Sequence, residues 1–510
     1  MPLRLYMDLQ EKYEDFIDRL RDVNRFRAIN SHLSWDQQTM MPVKGREARA
    51  GILAWLASQA HGMMTEPEMV TLIKELNNEI EELDVDQACN VREAKREMDK
   101  AARLPSEHVF RAAQMTSTSI PVWAKAREDK DFSYFEDTLQ ELVSVSRERI
   151  EFLRLDGQTP YDVLLDDYEH GMTVADYDPL FEGMRKRLVP LLAKIMESKQ
   201  RIPDIEIPDT ASFPIAQQEE FCLRVSRSFG FDHDAGRMDI APHPFCSGLW
   251  PGDTRITTRY DEEDPFSCIG AVMHETGHGL YEQGLPAEHC FTPRGGAISL
   301  GVHESQSRLW ENQVGRSREY WNLAGAWFRE SFDNCPEYTD EELYRIINRA
   351  EPSFIRVEAD EVTYNLHVML RYEVEKAIFN DGMDISEIPK MWNSLFLDWF
   401  GLEVPDDTLG CLQDIHWSMM AFGYFPTYTL GNMYAAQLMQ KMIDDLGMGV
   451  NELLANQDTS AILDWLRISV HERGMLYEPS QLIKVVTGKA PDPEPFLSYV
   501  ERKYGSIHGF

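Results

Sequence analysis

Residues 264–282 read Asp264-Pro-Phe-Ser-Cys-Ile-Gly-Ala-Val-Met-His274-Glu275-Thr-Gly-His278-Gly-Leu-Tyr-Glu282. The opening Asp-Pro-x-Ser is typical of a helix start, so the segment predicts one continuous helix. Positions 274 and 278 lie one above the other on the same helix face, so both imidazoles can bind one tetrahedral ion. Glu275 lies about 100° round the helix, where it can act as general base toward a water. This spacing is typical of a catalytic zinc site.

A catalytic zinc site needs a third protein ligand. The metzincin extension would require Gly at position 281 and His at position 284, but Tyr281 and Gly284 stand there, which excludes that class. Glu304 follows thirty residues after His274, at the start of a second helical run, and we predict it as the third ligand. His303 is the rival, since neighbouring helical residues point about 100° apart and only one can face the ion.

The alternative to a catalytic site is a chance match on an ordinary amphipathic helix whose histidines belong to the core. A purely structural zinc would call for a fourth strong ligand such as cysteine. Cys268 lies six residues before His274 and does not share a helix face with the histidine pair. Glu304 could likewise be a solvated acid at a helix start. The residue pattern favours the catalytic interpretation.

Composition restricts the classes of partner. The chain has 510 residues, of which 43% are hydrophobic, enough for a large core around a cleft. With 86 Asp and Glu against 51 Lys and Arg, its formal net charge is −35. Such a field repels phosphate backbones and anionic membrane surfaces. We therefore expect neither nucleic acid nor membrane as a partner.

Three further features of the sequence concern the cellular compartment of the protein. The N-terminal sequence Met-Pro-Leu-Arg-Leu-Tyr-Met-Asp lacks the apolar run of a secretory signal, which predicts a cytoplasmic protein. The uncharged stretch 415–440 contains His, Gly, Pro and several Tyr, and we interpret it as a buried wall or cleft lining instead of a membrane span. The seven cysteines are scattered without a C-x-x-C pair, which indicates reduced thiols.

Apolar residues recur at three- and four-residue steps through most of the chain, as at Leu9, Tyr13, Phe16 and Leu20, which predicts a mainly α protein. The region 229–264 breaks this pattern with Gly and Pro and a β-favouring run at 255–260, so we expect a small sheet or hairpin just before the metal helix. No linker divides the chain. We predict one domain over 1–510, with an N-terminal helical half of about 1–225 and a catalytic half of about 226–510 flanking a cleft.

The chain resembles the carboxypeptidase Taq, or thermostable carboxypeptidase 1, family of zinc metallocarboxypeptidases. In chain order the matching blocks are Ser34-Trp35-Asp36-Gln37-Gln-Thr-Met-Met-Pro42, His243-Pro244-Phe245, Asp253-Thr-Arg255-Ile-Thr257, His274-Glu275-Thr-Gly-His278, His303-Glu304-Ser305-Gln306, Ile355-Arg356-Val-Glu-Ala359-Asp360 and Gly410-Cys-Leu-Gln413-Asp414-Ile-His416-Trp417. These blocks extend over nearly the whole chain. Together they are far more specific than the zinc motif alone.

The resemblance implies a mainly helical, saddle-like fold with a deep central groove, assembled as a homodimer. It implies an enzyme that removes single residues from the free C-terminus of peptides, with broad preference and poor action on proline. The implied cofactor is Zn²⁺, with Co²⁺ as a possible substitute. By matching motif positions, Glu304 becomes the third metal ligand.

A carboxypeptidase must hold the C-terminal carboxylate of its substrate, for which a guanidinium fork is well suited. Arg356 is our first candidate and Arg255 the second. The alternative for each is a structural ion pair, to Asp360 and to Asp253 respectively.

Stabilisation of the oxyanion calls for a hydrogen-bond donor facing the cleft. His416 and Tyr428, both in the uncharged stretch, are the candidates, and Tyr428 is preferred. Tyr424 and Tyr434 compete with it, because most tyrosines there will be packing groups.

Two other functions are weighed against this prediction. An endopeptidase or oligopeptidase could use the same zinc chemistry without a carboxylate anchor. A catalytically silent peptide-binding protein could retain a relict zinc site. The intact set of His274, Glu275, His278 and Glu304 argues against the silent protein.

Overall fold

A computed structural model describes residues 7–454 and 458–510 of the chain. Residues 1–6, part of the N-terminal segment used to predict location, lie outside this description. In chain order the helices are α1 (Leu9–Thr39), α2 (Arg46–Met64), α3 (Pro67–Asn78), α4 (Val85–Arg103), α5 (Ser106–Asp129), α6 (Ser133–Leu153), α7 (Pro160–Leu165), α8 (Val174–Ser198), α9 (Ile215–Phe229), α10 (Pro265–Gly284), α11 (Leu300–Arg308), α12 (Arg318–Ser331), α13 (Asp340–Ile347), α14 (Thr363–Phe379), α15 (Ile388–Phe400), α16 (Pro426–Leu446), α17 (Val450–Leu454), α18 (Ser460–Ser469), α19 (Pro479–Thr487) and α20 (Glu494–His508). The predicted mainly helical class is confirmed.

A small sheet precedes α10, as the sequence predicted. Its strands are β1 (Gly236–Ile240), β2 (Cys246–Trp250) and β3 (Asp253–Thr258), in the order β1-β3-β2. β2 and β3 form an antiparallel hairpin, whereas β1 lies parallel to β3 with Gly236 opposite Thr254. α10 packs on β2 and β3, so the sheet forms one side of the support for the metal-motif helix.

The helix carrying the metal motif begins where the sequence predicted. The side chain of Asp264 accepts hydrogen bonds from the backbone N–H groups of Phe266 and Ser267, and Pro265 occupies the first turn, where its missing N–H costs nothing. Most of α10 is buried, including Glu275. The helix therefore runs through the core and presents its histidines on an inner face.

Two glycines bring α11 close to its neighbours. An added Cβ at Gly277 of α10 would lie 2.6 Å from the Cα of Ser307, and one at Gly431 of α16 would lie 2.6 Å from the Cβ of Glu304. Real side chains do not tolerate such distances, so only glycine permits this approach at either position. α11 is consequently held between α10 and α16, and it continues directly into a π-helical turn, Leu309–Gly315.

Most of the buried apolar side chains fall into two clusters. The larger extends from Ala126 to Ile507 and surrounds α10, α11, α14 and α16. The smaller is formed within α1 to α4, from Tyr13 to Met98. The division into halves near residue 225 stays a prediction.

The uncharged stretch forms a buried wall, as predicted. α16 begins at Pro426 and most of its residues up to Met442 are buried. In the described parts of the chain, no helix is both long and apolar enough to cross a membrane. All seven cysteines are free thiols.

Candidate metal centre and active site

His274, His278 and Glu304 converge on one point. Their potential ligand atoms all lie within 4.8 Å of one another. The Oε2 atom of Glu304 is 3.7 Å from Nε2 of His274 and 3.5 Å from Nε2 of His278. Within residues 7–454 and 458–510, this is the group of His, Cys, Asp and Glu with the geometry to hold a metal ion.

The opposite ring nitrogens of both histidines already have partners. Nδ1 of His274 donates to Oε2 of Glu311 at 2.9 Å, and Nδ1 of His278 donates to the backbone carbonyl of His303 at 3.1 Å. Metal-binding histidines are commonly oriented in this way, by a carboxylate or a carbonyl on the remaining nitrogen. In a neutral imidazole whose Nδ1 donates in this way, Nε2 carries no proton and is available to coordinate. Two imidazoles and one carboxylate, with these outer partners, fit a catalytic divalent ion such as zinc.

His303, the rival to Glu304, lies behind the centre. Its Nδ1 is 2.6 Å from Nδ1 of His278, the nitrogen that faces away from Glu304, and its Nε2 is 2.9 Å from Oε1 of Glu282. The His303 imidazole therefore supports His278 instead of joining the ligand cluster. The two neighbouring residues of α11 diverge as helix geometry requires.

Glu304 is almost fully buried, with 6% of its surface exposed. Burial by itself raises the pKa of a carboxyl group, but Arg308 and His274 hold the pKa of Glu304 well below its ordinary value. Nε of Arg308 donates to Oε1 of Glu304 at 2.7 Å, which leaves Oε2 toward the histidines. Glu304 is therefore a carboxylate with one oxygen directed at the metal position.

Glu275 is buried beside the ligands and differs from them in its surroundings. Its Oε2 has no hydrogen-bond partner among the described residues. Burial raises the pKa of Glu275 to about 7, with the neighbouring charge of Glu304 adding to the shift and His274 opposing it. A carboxylate with an unpartnered oxygen and a weak preference for ionisation suits reversible proton transfer.

Arg356 lies against another buried carboxylate. Its Nε and Nη2 donate to Oδ1 of Asp414 at 3.1 and 2.8 Å, and its Nη1 donates to the hydroxyl of Tyr364 at 2.9 Å. Asp360, the ion-pair partner considered from sequence, does not pair with Arg356: it accepts hydrogen bonds from the backbone N–H groups of Val362 and Thr363 and from the Thr363 hydroxyl. The ion pair of Arg356 is thus made across the fold with a residue 58 positions away.

A second arginine shares the same carboxylate. Arg371 of α14 is fully buried, and its Nε donates to Oδ2 of Asp414 at 2.6 Å. Burial lowers the pKa of His416, which lies near Asp414, to about 4, so this imidazole is neutral at pH 7. Arg356, Arg371 and Asp414 therefore form a buried group with one excess positive charge, the net positive group. Such a place favours an additional anion.

Arg255 sits elsewhere, on β3. Its guanidinium donates to both carboxylate oxygens of Asp253, at 2.9 and 3.1 Å, and lies 4.2 Å from the centroid of the Trp35 ring. The ion pair considered from sequence is therefore present. These contacts fasten the sheet to α1.

The structure separates the tyrosine candidates. The Tyr428 ring lies 4.9 Å from Cζ of Arg356 and 5.9 Å from the ring of Tyr364. His416 is next to Tyr424, with ring centroids 5.2 Å apart. Tyr434 is directed away, since its hydroxyl donates to Oε1 of the buried Glu169. Tyr428, Tyr424 and His416 line the net positive group, whereas Tyr434 does not.

Four residues that sequence reasoning did not single out complete the site: Arg308, Glu311, Tyr364 and Arg371. Arg308 is four residues after Glu304, a helical spacing at which an Arg and a carboxylate commonly pair. That spacing was a usable signal. Tyr364 and Arg371 carried none, because their roles depend on contacts between distant segments.

Tyr364 joins the two parts of the site. Cζ of Arg308 lies 4.4 Å from the centroid of its ring, and its hydroxyl accepts from Arg356. The candidate metal centre and the net positive group are therefore neighbours, separated by one aromatic side chain.

Comparisons with known proteins cover almost the full length of the chain. A family model described as carboxypeptidase Taq (M32) metallopeptidase matches residues 15–504. Thermostable carboxypeptidase 1 from Thermus thermophilus is 39% identical over 513 aligned residues, which cover 99% of this chain and 100% of that protein. Carboxypeptidase 1 from Bacillus subtilis is 34% identical and covers 98% and 100%. The solved structure of metallocarboxypeptidase 1 from Trypanosoma cruzi has a TM-score of 0.94 and 36% identity, and the match covers 98% of this chain and 100% of that one.

Proposed function

The chain belongs to the carboxypeptidase Taq (M32) family of metallopeptidases and is a metallocarboxypeptidase, and we propose that His274, His278 and Glu304 hold its metal ion. We infer that the ion is zinc, with cobalt as a possible substitute, because two imidazoles and a carboxylate are the ligands of known catalytic zinc sites. The observation that carries this proposal is the convergence of the three ligand atoms within 4.8 Å beside a buried group of net positive charge.

Glu275 is the proposed general base. A bound divalent ion supplies Lewis acidity, which lowers the pKa of a water and polarises the scissile carbonyl. Glu275 takes the proton from the attacking water on its unpartnered Oε2 and later gives it to the leaving amine. Burial favours the neutral acid after the first transfer, so the proton is retained until the amine departs.

Arg356 is the proposed anchor for the C-terminal carboxylate of the substrate. Asp414 neutralises only one of the two arginines in contact with it, so the incoming carboxylate would complete the charge balance. The fork of Arg356 is held in a fixed orientation by Asp414 and Tyr364. Arg255 is the less favoured anchor, because Asp253 balances its charge, whereas Asp414 is shared between Arg356 and Arg371.

Tyr428 is the proposed donor to the oxyanion of the tetrahedral intermediate, with His416 as second candidate. The Tyr428 ring lies against the guanidinium of Arg356, and the charge of Glu304 is close enough to influence its hydroxyl. Burial raises the pKa of Tyr428 well above its ordinary value, so the hydroxyl remains a proton donor. A fixed donor of this kind stabilises charge that develops in the transition state.

Several finer features rest on family resemblance or on the sequence pattern alone. We propose broad preference for the released residue with poor action on proline, a homodimeric assembly, and a cytoplasmic location. A single domain over residues 1–510 belongs to the same set.

The decisive experiment compares a peptide with a free C-terminus and the same peptide as its C-terminal amide, followed by mass spectrometry. We expect single residues to be released from the free acid and the amide to be cleaved far more slowly. Equal rates, or internal cleavage, would favour the endopeptidase alternative. Chelation should abolish activity and zinc should restore it.

The same assay tests the role of Glu275. The Glu275→Gln variant should lose roughly 10²–10⁴-fold in kcat, the usual contribution of a positioned acid–base group, while its metal content stays unchanged. Unchanged hydrolysis by this variant would show that another residue is the base.

A further inference from the structure

α11 and the π-helical turn that follows it place three charged side chains in a row. Glu304 and Arg308 are four residues apart, and Arg308 and Glu311 are three apart. The π-helical turn begins at Leu309, immediately after Arg308. Single π-helical turns widen a helix locally and are frequent at functional sites. Here the turn directs Glu311 toward α10.

Arg308 bridges the two carboxylates. Its Nε donates to Oε1 of Glu304 at 2.7 Å, and its Nη1 donates to Oε2 of Glu311 at 3.1 Å. Only 13% of the Arg308 side chain is exposed, and its guanidinium lies over the ring of Tyr364 at 4.4 Å. A planar guanidinium can donate in two directions at once, which a lysine ammonium on a flexible stem does not reproduce.

Arg308 also belongs to a hydrogen-bond network that links the two proposed ligands Glu304 and His274. The same Oε2 of Glu311 that accepts from Arg308 also accepts from Nδ1 of His274, at 2.9 Å. The other oxygen of Glu311 accepts from Nη2 of Arg316 at 2.7 Å. Arg308 therefore contacts one proposed ligand directly and reaches a second through Glu311.

We propose that Arg308 is the positioning residue of the metal centre. By occupying Oε1 of Glu304, it leaves Oε2 alone to face the ion, and by holding Glu311 it fixes the tautomer and orientation of His274. This inference rests on the proposed metal site. Outer partners of this kind commonly contribute 10–100-fold to metal affinity or activity.

The test uses Arg308→Lys and Arg308→Met, with Arg187→Met as the matched control. Arg187 of α8 also pairs with two carboxylates, Glu494 and Glu501 of α20, but this group lies at the surface. Zinc affinity is measured by competition with a chromogenic chelator, and kcat and KM are measured at saturating zinc. We expect both Arg308 variants to bind zinc at least tenfold more weakly, with lower kcat and KM within about twofold of wild type. Arg187→Met should bind zinc as wild type does.

A merely structural salt bridge predicts a different pattern. It would lower the thermal unfolding midpoint of the metal-free protein and leave zinc affinity within threefold of wild type, and that result would overturn the proposal. If Arg308→Met does not fold, Arg308→Lys decides, because it keeps the charge and nearly the volume. Arg308→Lys combined with Glu311→Gln should cost less than the sum of the single losses, since both act on His274.

A failure of the metal site itself is recognised separately. His274→Ala should remove stoichiometric zinc from the protein. If His274→Ala retains it, the proposed ligand set is wrong. If His274→Ala loses zinc while the Arg308 variants bind it normally, only the role of Arg308 is wrong.

Discussion

At the scale of single residues, the site depends on how buried charges are balanced. Glu304 and Glu311 carry two negative charges, and Arg308 and Arg316 carry two positive ones. Around Asp414 the balance is unequal, since Arg356 and Arg371 share one carboxylate. The charges of the first group balance one another, whereas the second group keeps one excess positive charge until an anion binds.

This imbalance predicts the effect of changing Arg356. In Arg356→Lys, the fork that would hold the substrate carboxylate is lost while the charge is kept. We expect KM for free-acid peptides to rise at least tenfold, with a smaller effect on the residual rate for the amide, because only the free acid offers a carboxylate. Steady-state kinetics on the matched peptide pair measure this.

Arg255→Lys is the comparison for that experiment. It should leave the ratio of free-acid to amide cleavage unchanged, because its guanidinium is paired with Asp253 and packs on Trp35. If Arg255→Lys lost more of the free-acid preference than Arg356→Lys, Arg255 would be the carboxylate anchor and Arg356 a structural residue.

At the scale of elements, the metal ligands are held by the packing of α11 between α10 and α16. Glu304 lies on α11, whereas the histidines lie on α10, so the distance between these helices sets the size of the ligand cluster. Gly431 of α16 lies against Glu304 from the other side. A larger side chain at position 431 would displace Glu304 or move α11 and α16 apart.

Gly431→Ala should therefore weaken both the fold and the metal centre. Its Cβ would overlap Glu304, and overpacking of this kind costs about 1–3 kcal/mol of unfolding free energy. Gly183→Ala on α8 is the control, because no atom lies within 4 Å of the added Cβ and alanine favours a helix over glycine by up to about 1 kcal/mol. Urea unfolding and zinc affinity are the measurements. Equal stability and affinity of the two variants would contradict the packing argument.

The start of α11 is anchored by Glu169, which makes stability depend on pH. Its Oε2 accepts from the backbone N–H of Gly301, and its Oε1 accepts from the hydroxyl of Tyr434. Burial raises the pKa of Glu169 from 4.5 to about 7, against the lowering effect of these hydrogen bonds. The folded protein thus keeps this proton up to about pH 7, whereas the unfolded chain loses it near pH 4.5. Stability from this group is lost as pH rises through that window.

Glu169→Gln should remove this pH dependence. Its amide carbonyl can accept from Gly301, and its NH₂ can donate to the Tyr434 hydroxyl. Between pH 5.5 and pH 8, the wild type should lose roughly 2 kcal/mol of unfolding free energy through Glu169, and the variant should not show this loss. Urea unfolding at the two pH values tests this, and parallel changes in both proteins would contradict it.

At the scale of the whole molecule, the two apolar clusters are joined by polar contacts. Asp86 accepts from Nε of Arg294 at 2.5 Å, and Asn90 accepts from its backbone N–H at 2.9 Å. Arg92 donates to the backbone carbonyl of Met475 at 2.7 Å. Through these contacts α4 is attached to the large core without sharing its apolar packing.

The smaller cluster should open independently of the larger one. It buries far fewer apolar side chains, so local unfolding of α1 to α4 requires less free energy. Hydrogen exchange followed by mass spectrometry should show lower protection in α1 to α4 than in α10, α14 and α16. Arg294→Met should lower protection in α1 to α4 more than in α10, α14 and α16. The prediction fails if protection is uniform, or if Arg294→Met affects all helices equally.

Features that depend on local spacing and on motif identity could be predicted from the amino-acid sequence. Helical periodicity places His274 and His278 on one face, and glycine and proline interrupt it where the small sheet lies. The chain's family could be recognised because its motif blocks extend over nearly the full length.

The packing of the folded chain set which distant side chains meet. It paired Arg356 with Asp414 instead of Asp360, turned Tyr434 toward Glu169, placed His303 behind His278, and brought Glu311, Tyr364 and Arg371 into the site. The physical reason is that these contacts join segments up to hundreds of residues apart. Their geometry is set by how helices pack against one another, which local sequence pattern does not encode.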